Sequence, residues 1–117
     1  MTPTRDALRS ALTEARRAGD RDLAAALRTT LAALDNAEAV PGAPAETSAA
    51  SAHVAGGRAG LGAAEASRRV LAQDEERAIV RAEVEDLRAA AAEYSAAGHD
   101  ERAASAARTA GVLEGLP

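Results

Sequence analysis

Apolar side chains recur at helical spacing over the first 40 residues. The strongest repeat is a stripe of leucines at intervals of four, four and three residues: Leu23, Leu27, Leu31 and Leu34. A weaker repeat precedes it at Leu8, Ala11, Leu12 and Ala15. Each repeat is typical of the buried face of an amphipathic helix. Because only a short corner separates them, we predict two antiparallel helices over residues 1–40.

The ends of these two helices carry matching signals. Thr2 is a good N-cap, and Pro3 suits the first helical position. Gly19 fits the left-handed residue that ends many helices, and Asp20 fits the N-cap of the next one. Pro41 then stops the second helix, since proline lacks the N–H that a helix needs.

A second pair of helices is predicted near the end of the chain. From about Gln73 to Ala97 a heptad-like seam runs through Val80, Val84, Leu87, Ala91 and Tyr94. Gly98 ends this helix and Asp100 caps the last one, which continues the apolar spacing at Ala103, Ala106, Ala110 and Leu113. The pattern predicts a second hairpin over 71–117, with Tyr94 as a filler at the rim of the core.

Residues 41–70 break both patterns. Proline and glycine crowd residues 41–62, where Val54 and Leu61 are the only sizeable apolar side chains. We therefore predict a flexible Gly/Pro/Ala loop over 41–70. The predicted fold is a single small all-α domain over 1–117, built of two antiparallel helical hairpins, 1–40 and 71–117, that this loop joins.

Composition narrows the class further. Alanine fills 35 of 117 positions, which favours thin helices, and the absence of Phe and Trp argues against a β-sandwich. No cysteine or lysine occurs, which excludes disulfides, zinc fingers and Schiff-base chemistry. No membrane span or signal peptide is apparent, so we expect a cytoplasmic protein. Arginine as the only basic residue beside so much alanine points to a GC-rich bacterial genome.

No catalytic residue, metal site or cofactor is predicted. The glycines of residues 56–62 lack both the spacing and the lysine of a phosphate-binding loop. His53 and His99 have no second ligand at helical spacing. The acidic residues of 71–117 are expected on a solvated helix face, except for Glu83, which lies next to the apolar seam.

Positive charge gathers near the first helix corner. Residues 71–117 carry five arginines against ten acidic residues, whereas residues 1–40 carry six of each. Five arginines bracket the corner and are candidates for binding nucleic acid or a partner protein: Arg9, Arg16, Arg17, Arg21 and Arg28. The alternative is ordinary surface pairing with nearby carboxylates such as that of Asp20.

Three stretches together resemble the GatB/YqeY-like family. Residues 27–38 (LRTTLAALDNAE) are similar to the end of that family's second helix. Residues 89–98 (AAAAEYSAAG) and 112–117 (VLEGLP) are similar to its long-helix corner and its closing segment. Four residues match polar positions of the family pattern, to which no catalytic role attaches: Asn36, Glu38, Glu83 and Glu93.

The resemblance implies a YqeY-like N-terminal helical domain, linked by association with carbon–nitrogen ligases that use glutamine for tRNA amidation. YqeY-like proteins usually carry a second, smaller module similar to the tail of the amidotransferase B subunit, and we expect this chain to lack it. The implied function is a non-catalytic accessory protein that binds tRNA or a tRNA-amidation protein through the first hairpin. The alternative is a helical module for protein–protein interaction, including formation of a homodimer, with no role in tRNA binding. A stand-alone enzyme ranks last, because no cysteine or lysine nucleophile exists.

Overall fold

Four α-helices make up most of the residues that the computed structural model describes, which are 2–39 and 70–117. They are α1 (Pro3–Ala18), α2 (Arg21–Glu38), α3 (Gln73–Ala96) and α4 (Asp100–Glu114). No β-strand occurs in these two stretches, and the predicted all-α class is confirmed. The predicted flexible loop covers residues 41–70, of which only residue 70 is among the described residues. His53 and the glycines of 56–62 therefore lie outside the described part of the chain.

The first two helices begin as the sequence predicts. The Thr2 hydroxyl accepts a hydrogen bond from the backbone N–H of Arg5 at 3.2 Å, and Pro3 is the first helical residue. At the start of α2, the Asp20 carboxylate accepts from the N–H of Leu23 at 3.2 Å. Each cap satisfies a backbone donor that has no partner inside its own helix.

Two glycines with left-handed backbone form the corners. Gly19 (φ 74°) follows α1, and the next N–H in the chain bonds back to the carbonyl of Ala15 at 2.8 Å. Gly98 (φ 83°) follows α3, and the N–H of His99 bonds back to the carbonyl of Tyr94 at 2.8 Å. Glycine adopts this φ without strain, so both corners end a helix within one residue and redirect the chain at once.

The start of α4 differs from the prediction. Asp100 is the first helical residue, and His99 occupies the N-cap without a side-chain hydrogen bond. The reason is that the His99 carbonyl, directly after the corner, already accepts the first helical hydrogen bond from Ala103 at 3.0 Å. Asp100 instead places its negative charge in the first turn, where the helix dipole favours it.

The larger of two compact units comprises Met1–Ala33 and Ala72–Pro117. Within it α3 and α4 pack against each other, and α1 contacts α3. Its buried apolar residues fall on the helix faces that the sequence predicts: Leu8, Ala15, Ala24, Leu27, Val80, Val84, Ala110 and Leu113.

The second unit, Leu34–Leu71, contains the last turn of α2. Among its described residues, Leu34 and Leu71 are buried. The division of one domain into 1–40, 41–70 and 71–117 stays a prediction.

Candidate functional site

Three arginines surround an open cleft of about 420 Å³ at the turn between α1 and α2. Arg16 lies in the last turn of α1, Arg21 is the first residue of α2, and Arg28 follows seven residues later. Seven residues are close to two helical turns, so Arg21 and Arg28 share one face about 10 Å apart along the axis. All three side chains are exposed. We refer to Arg16, Arg21 and Arg28 as the arginine corner.

The three guanidinium groups of the arginine corner have no ion-pair partner in the part of the chain that the structure describes. Within residues 2–39 and 70–117 they make no hydrogen bond either. Asp20 also lines the cleft, but its carboxylate accepts hydrogen bonds from Arg108 of α4, at 2.7 Å to Nη1 and 3.5 Å to Nη2. The Asp20 carboxylate, which the alternative interpretation offers as a surface partner for the nearby arginines, is instead bound by a cation from α4.

The same contact fixes the charge of Asp20. The hydrogen bond from Arg108 and, after it, the N–H of Leu23 lower the pKa of the Asp20 carboxyl below its ordinary value of 3.8. Since the contact favours both charged forms, it also raises the pKa of Arg108. At neutral pH the two charges cancel locally, and the net charge beside the cleft comes from the three arginines.

The remaining two arginines of the predicted cluster lie apart from this cleft. Arg17 pairs with Glu14 at 3.1 Å, and both side chains are about 70 % exposed, at 72 % and 70 %. Arg9 is an exposed residue of α1 that does not line the cleft. The structure thus brings together three of the five arginines that the sequence singles out.

The four polar residues that the family resemblance singles out are divided between α2 and α3. Asn36 and Glu38 lie in the last turn of α2, in the second unit. Glu83 and Glu93 lie on α3, and ten residues of helix place them about 15 Å apart along its axis. Burial of the half-buried Glu83, and then the charge of Asp86, raise the pKa of the Glu83 carboxyl.

A buried ion pair joins the start of α1 to the start of α3, and the sequence analysis missed it. Arg5 Nε lies 3.4 Å from Glu76 Oε2, with the two side chains 8 % and 1 % exposed. Beside them the Thr4 hydroxyl donates to the carbonyl of Pro117 at 3.1 Å. The burial of Glu76 could have been inferred from its position four residues before Val80. That spacing places Glu76 on the inward seam of α3 rather than on the predicted solvated face.

Among the side chains that the structure describes, no group of three His, Asp or Glu residues is placed to hold a metal ion. None of the helices within 2–39 and 70–117 is both long and apolar enough to cross a lipid bilayer. Comparison of the chain with protein-family models, with curated proteins and with solved structures finds no match.

Proposed function

We propose that this chain is a non-catalytic, cytoplasmic binding module that holds tRNA by its phosphates at the arginine corner. The observation that carries the proposal is the gathering of three exposed guanidinium groups around one cleft, none of them paired with another described residue. An arginine without an internal carboxylate is available to an external anion at no cost in broken ion pairs.

Phosphate is the anion that this chemistry fits best. The planar guanidinium fork presents paired N–H donors that match two phosphate oxygens. The start of α2 lies at the same cleft, and the dipole of a helix adds partial positive charge at its N-terminus. On a nucleic acid, each phosphate that an arginine neutralises also releases condensed counterions, which is the main source of such affinity.

The choice of tRNA over other polyanions rests on the resemblance to GatB/YqeY-like proteins and their link to glutamine-dependent tRNA amidation. The proposal includes the two-hairpin arrangement that the sequence predicts. The short connections support it, since only Gly19 and Asp20 separate α1 from α2, and only residues 97–99 separate α3 from α4. Connections of two to five residues are typical of antiparallel helix pairs.

The test is fluorescence anisotropy of labelled bulk tRNA titrated with the protein at low salt. Reversing two charges of the corner, in Arg21→Glu with Arg28→Glu, should weaken binding at least ten-fold. The matched control is Arg77→Glu with Arg81→Glu, which changes the net charge equally at two exposed arginines of α3 that have no ion pair in the described residues. The control should stay within about three-fold of the unmodified protein.

Two outcomes contradict the proposal. Equal weakening by both double variants would show a response to net charge without a site at the corner. Absence of tRNA binding by the unmodified protein would remove the function altogether. In that case a mass in sedimentation that rises with concentration would favour the alternative of a self-associating helical module.

A further inference from the structure

A second open cleft, of about 300 Å³, lies where α3 and α4 meet the first turn of α2. We call it the Tyr94 cleft. The lining residues that matter for its chemistry are Asp22, Leu87, Tyr94, Arg102, Ser105 and Thr109. Its volume is at the lower end of the range for small-molecule sites, which suits a group of the size of one nucleobase.

The Tyr94 cleft contains the only aromatic side chain of the chain. Tyr94 is half-buried, and its ring meets the ring of His99 edge to face, with centroids 6.4 Å apart and planes at 79°. This separation and angle are typical of an edge-to-face aromatic contact. An aromatic wall beside the apolar side chain of Leu87 is the kind of surface on which an unpaired base stacks.

Polar groups of the Tyr94 cleft are left with hydrogen-bonding capacity. Asp22 Oδ2 accepts from the Ser105 hydroxyl at 2.7 Å, whereas Oδ1 has no hydrogen bond within the described residues. Thr109 is 2 % exposed, and its buried hydroxyl has no hydrogen-bond partner there either. Buried hydroxyl groups are nearly always paired, so the Thr109 hydroxyl leaves one hydrogen-bonding group unused in the wall of the cleft among the described residues.

The Tyr94 cleft and the arginine corner are adjacent on α2. Asp22 lines the first and Asp20 lines the second. That they lie side by side follows from α4, where residues three apart share one face. From α4, Ser105 and Arg108 contact these two aspartates. A nucleotide strand whose phosphates lie on the corner therefore has a base-sized cleft beside them.

We infer that the Tyr94 cleft binds one unstacked base of a single-stranded RNA segment whose phosphates occupy the arginine corner. This inference rests on the proposed function and narrows its ligand from RNA in general to RNA with an unpaired stretch. The free Oδ1 of Asp22 accepts from an N–H donor, so the cleft selects bases with an exocyclic amine. Cytosine presents such a donor and uracil presents a carbonyl oxygen at the same position.

The experiment compares three labelled RNAs by anisotropy: an octamer of cytidine, an octamer of uridine and a duplex with the same number of phosphates. The variant Tyr94→Leu keeps an apolar side chain but removes the ring, and Tyr94→Phe keeps the ring. Binding of the cytidine octamer should weaken between about 5-fold and 100-fold in Tyr94→Leu, the range that stacking of one base contributes. Tyr94→Phe should stay within about two-fold, and duplex binding should not change in either variant.

The preference for one base over another provides an independent test of the Tyr94 cleft. The unmodified protein should bind the cytidine octamer several-fold more tightly than the uridine octamer, and Asp22→Ala, which removes the acceptor oxygen, should abolish that preference. Thermal unfolding of each variant by circular dichroism confirms that the fold persists.

The outcomes separate this inference from the proposed function. If Tyr94→Leu binds the cytidine octamer unchanged and the double variant Arg21→Glu with Arg28→Glu does not bind it, base binding in the Tyr94 cleft is refuted. Phosphate binding at the arginine corner is then still supported. No RNA binding by the unmodified protein overturns both. Tyr94-dependent binding of free cytidine monophosphate without any binding of the octamers shows a nucleotide site and contradicts an RNA segment as the ligand.

Discussion

The buried pair of Arg5 and Glu76 yields the sharpest prediction about stability. Both side chains are more than nine-tenths buried, and the guanidinium Nε lies 3.4 Å from the carboxylate Oε2. The second carboxylate oxygen, Oε1, is buried without a hydrogen bond in the described part of the chain. Removing Arg5 therefore leaves the Glu76 carboxylate buried without an ion pair among the described residues, and removing Glu76 takes away a buried counter-charge of Arg5.

The expected magnitude follows from that burial. Breaking a buried ion pair by removal of one partner costs about 3–5 kcal/mol. A chain of this length has a free energy of unfolding of roughly 6–18 kcal/mol, at about 0.05–0.15 kcal/mol per residue. Glu76→Ala or Arg5→Ala should thus remove a large fraction of the total stability. Replacing both residues, in Arg5→Met with Glu76→Leu, should recover most of it, because apolar side chains of similar volume need no charge partner.

The assay is urea unfolding at neutral pH, followed by far-ultraviolet circular dichroism. Each single variant should lower the unfolding midpoint strongly, and the paired apolar variant should lie near the unmodified protein. The reasoning is refuted if each single substitution costs less than about 1 kcal/mol, the value expected of an exposed pair. Costs that simply add in the paired variant would refute the coupling as well.

Three smaller predictions concern the caps, the corners and pH. Because burial raises the pKa of Glu83, the fold favours the neutral form of this carboxyl. The stability that the neutral form contributes is lost as pH rises through the folded pKa. Glu83→Gln should therefore raise Tm at pH 7 and leave it unchanged at a pH well below the ordinary value of 4.5. Gly19→Ala should lower the free energy of unfolding by roughly 1–2 kcal/mol, because Gly19 has a left-handed backbone. Gly111→Ala should raise it by about 0.5–1 kcal/mol, because Gly111 lies inside α4 with open space around it. Equal effects of the two variants in thermal melts would contradict the backbone argument. Asp20→Ala removes a helix cap and an ion pair and should cost about 0.5–2 kcal/mol more than Arg108→Ala, which removes the pair alone. The Asp20 contribution is present above the ordinary carboxyl pKa of 3.8 and is lost as pH falls through the lowered value. Arg108→Ala keeps the cap between Asp20 and Leu23, which also lowers that pKa, so acid should narrow the difference in stability between the two variants.

Local features of the fold were readable from the sequence because they depend on neighbours in the chain. The caps at Thr2 and Asp20 and the corners at Gly19 and Gly98 each use residues within a few positions of one another. The apolar repeats likewise marked the buried face of each helix, since helical spacing alone decides which side chains share a face. For α4 the sequence predicts Asp100 as the N-cap, whereas the structure has His99 there. A difference of one residue is common at helix ends.

Contacts between distant residues were not readable. The partner of Asp20 is Arg108, which lies on another helix. The sequence around either residue does not predict this pair. For the same reason the sequence treated Glu76 as a solvated residue, although its register with Val80 places it inward. The arginine corner is only partly predicted. Charge counting finds the cluster, but the Asp20 carboxylate beside it is bound by Arg108 of α4, and sequence spacing does not show such a tertiary contact.

The salt dependence of tRNA binding tests the central claim most directly. The logarithm of the affinity should fall linearly with the logarithm of salt concentration, with a slope of about 0.7–0.9 for each phosphate contact. Arg21→Gln with Arg28→Gln should make that slope shallower by about 1.4–1.8, because two contacts are lost. Arg77→Gln with Arg81→Gln should leave it unchanged. A slope that is the same in both double variants and in the unmodified protein would show that the arginine corner does not touch phosphate.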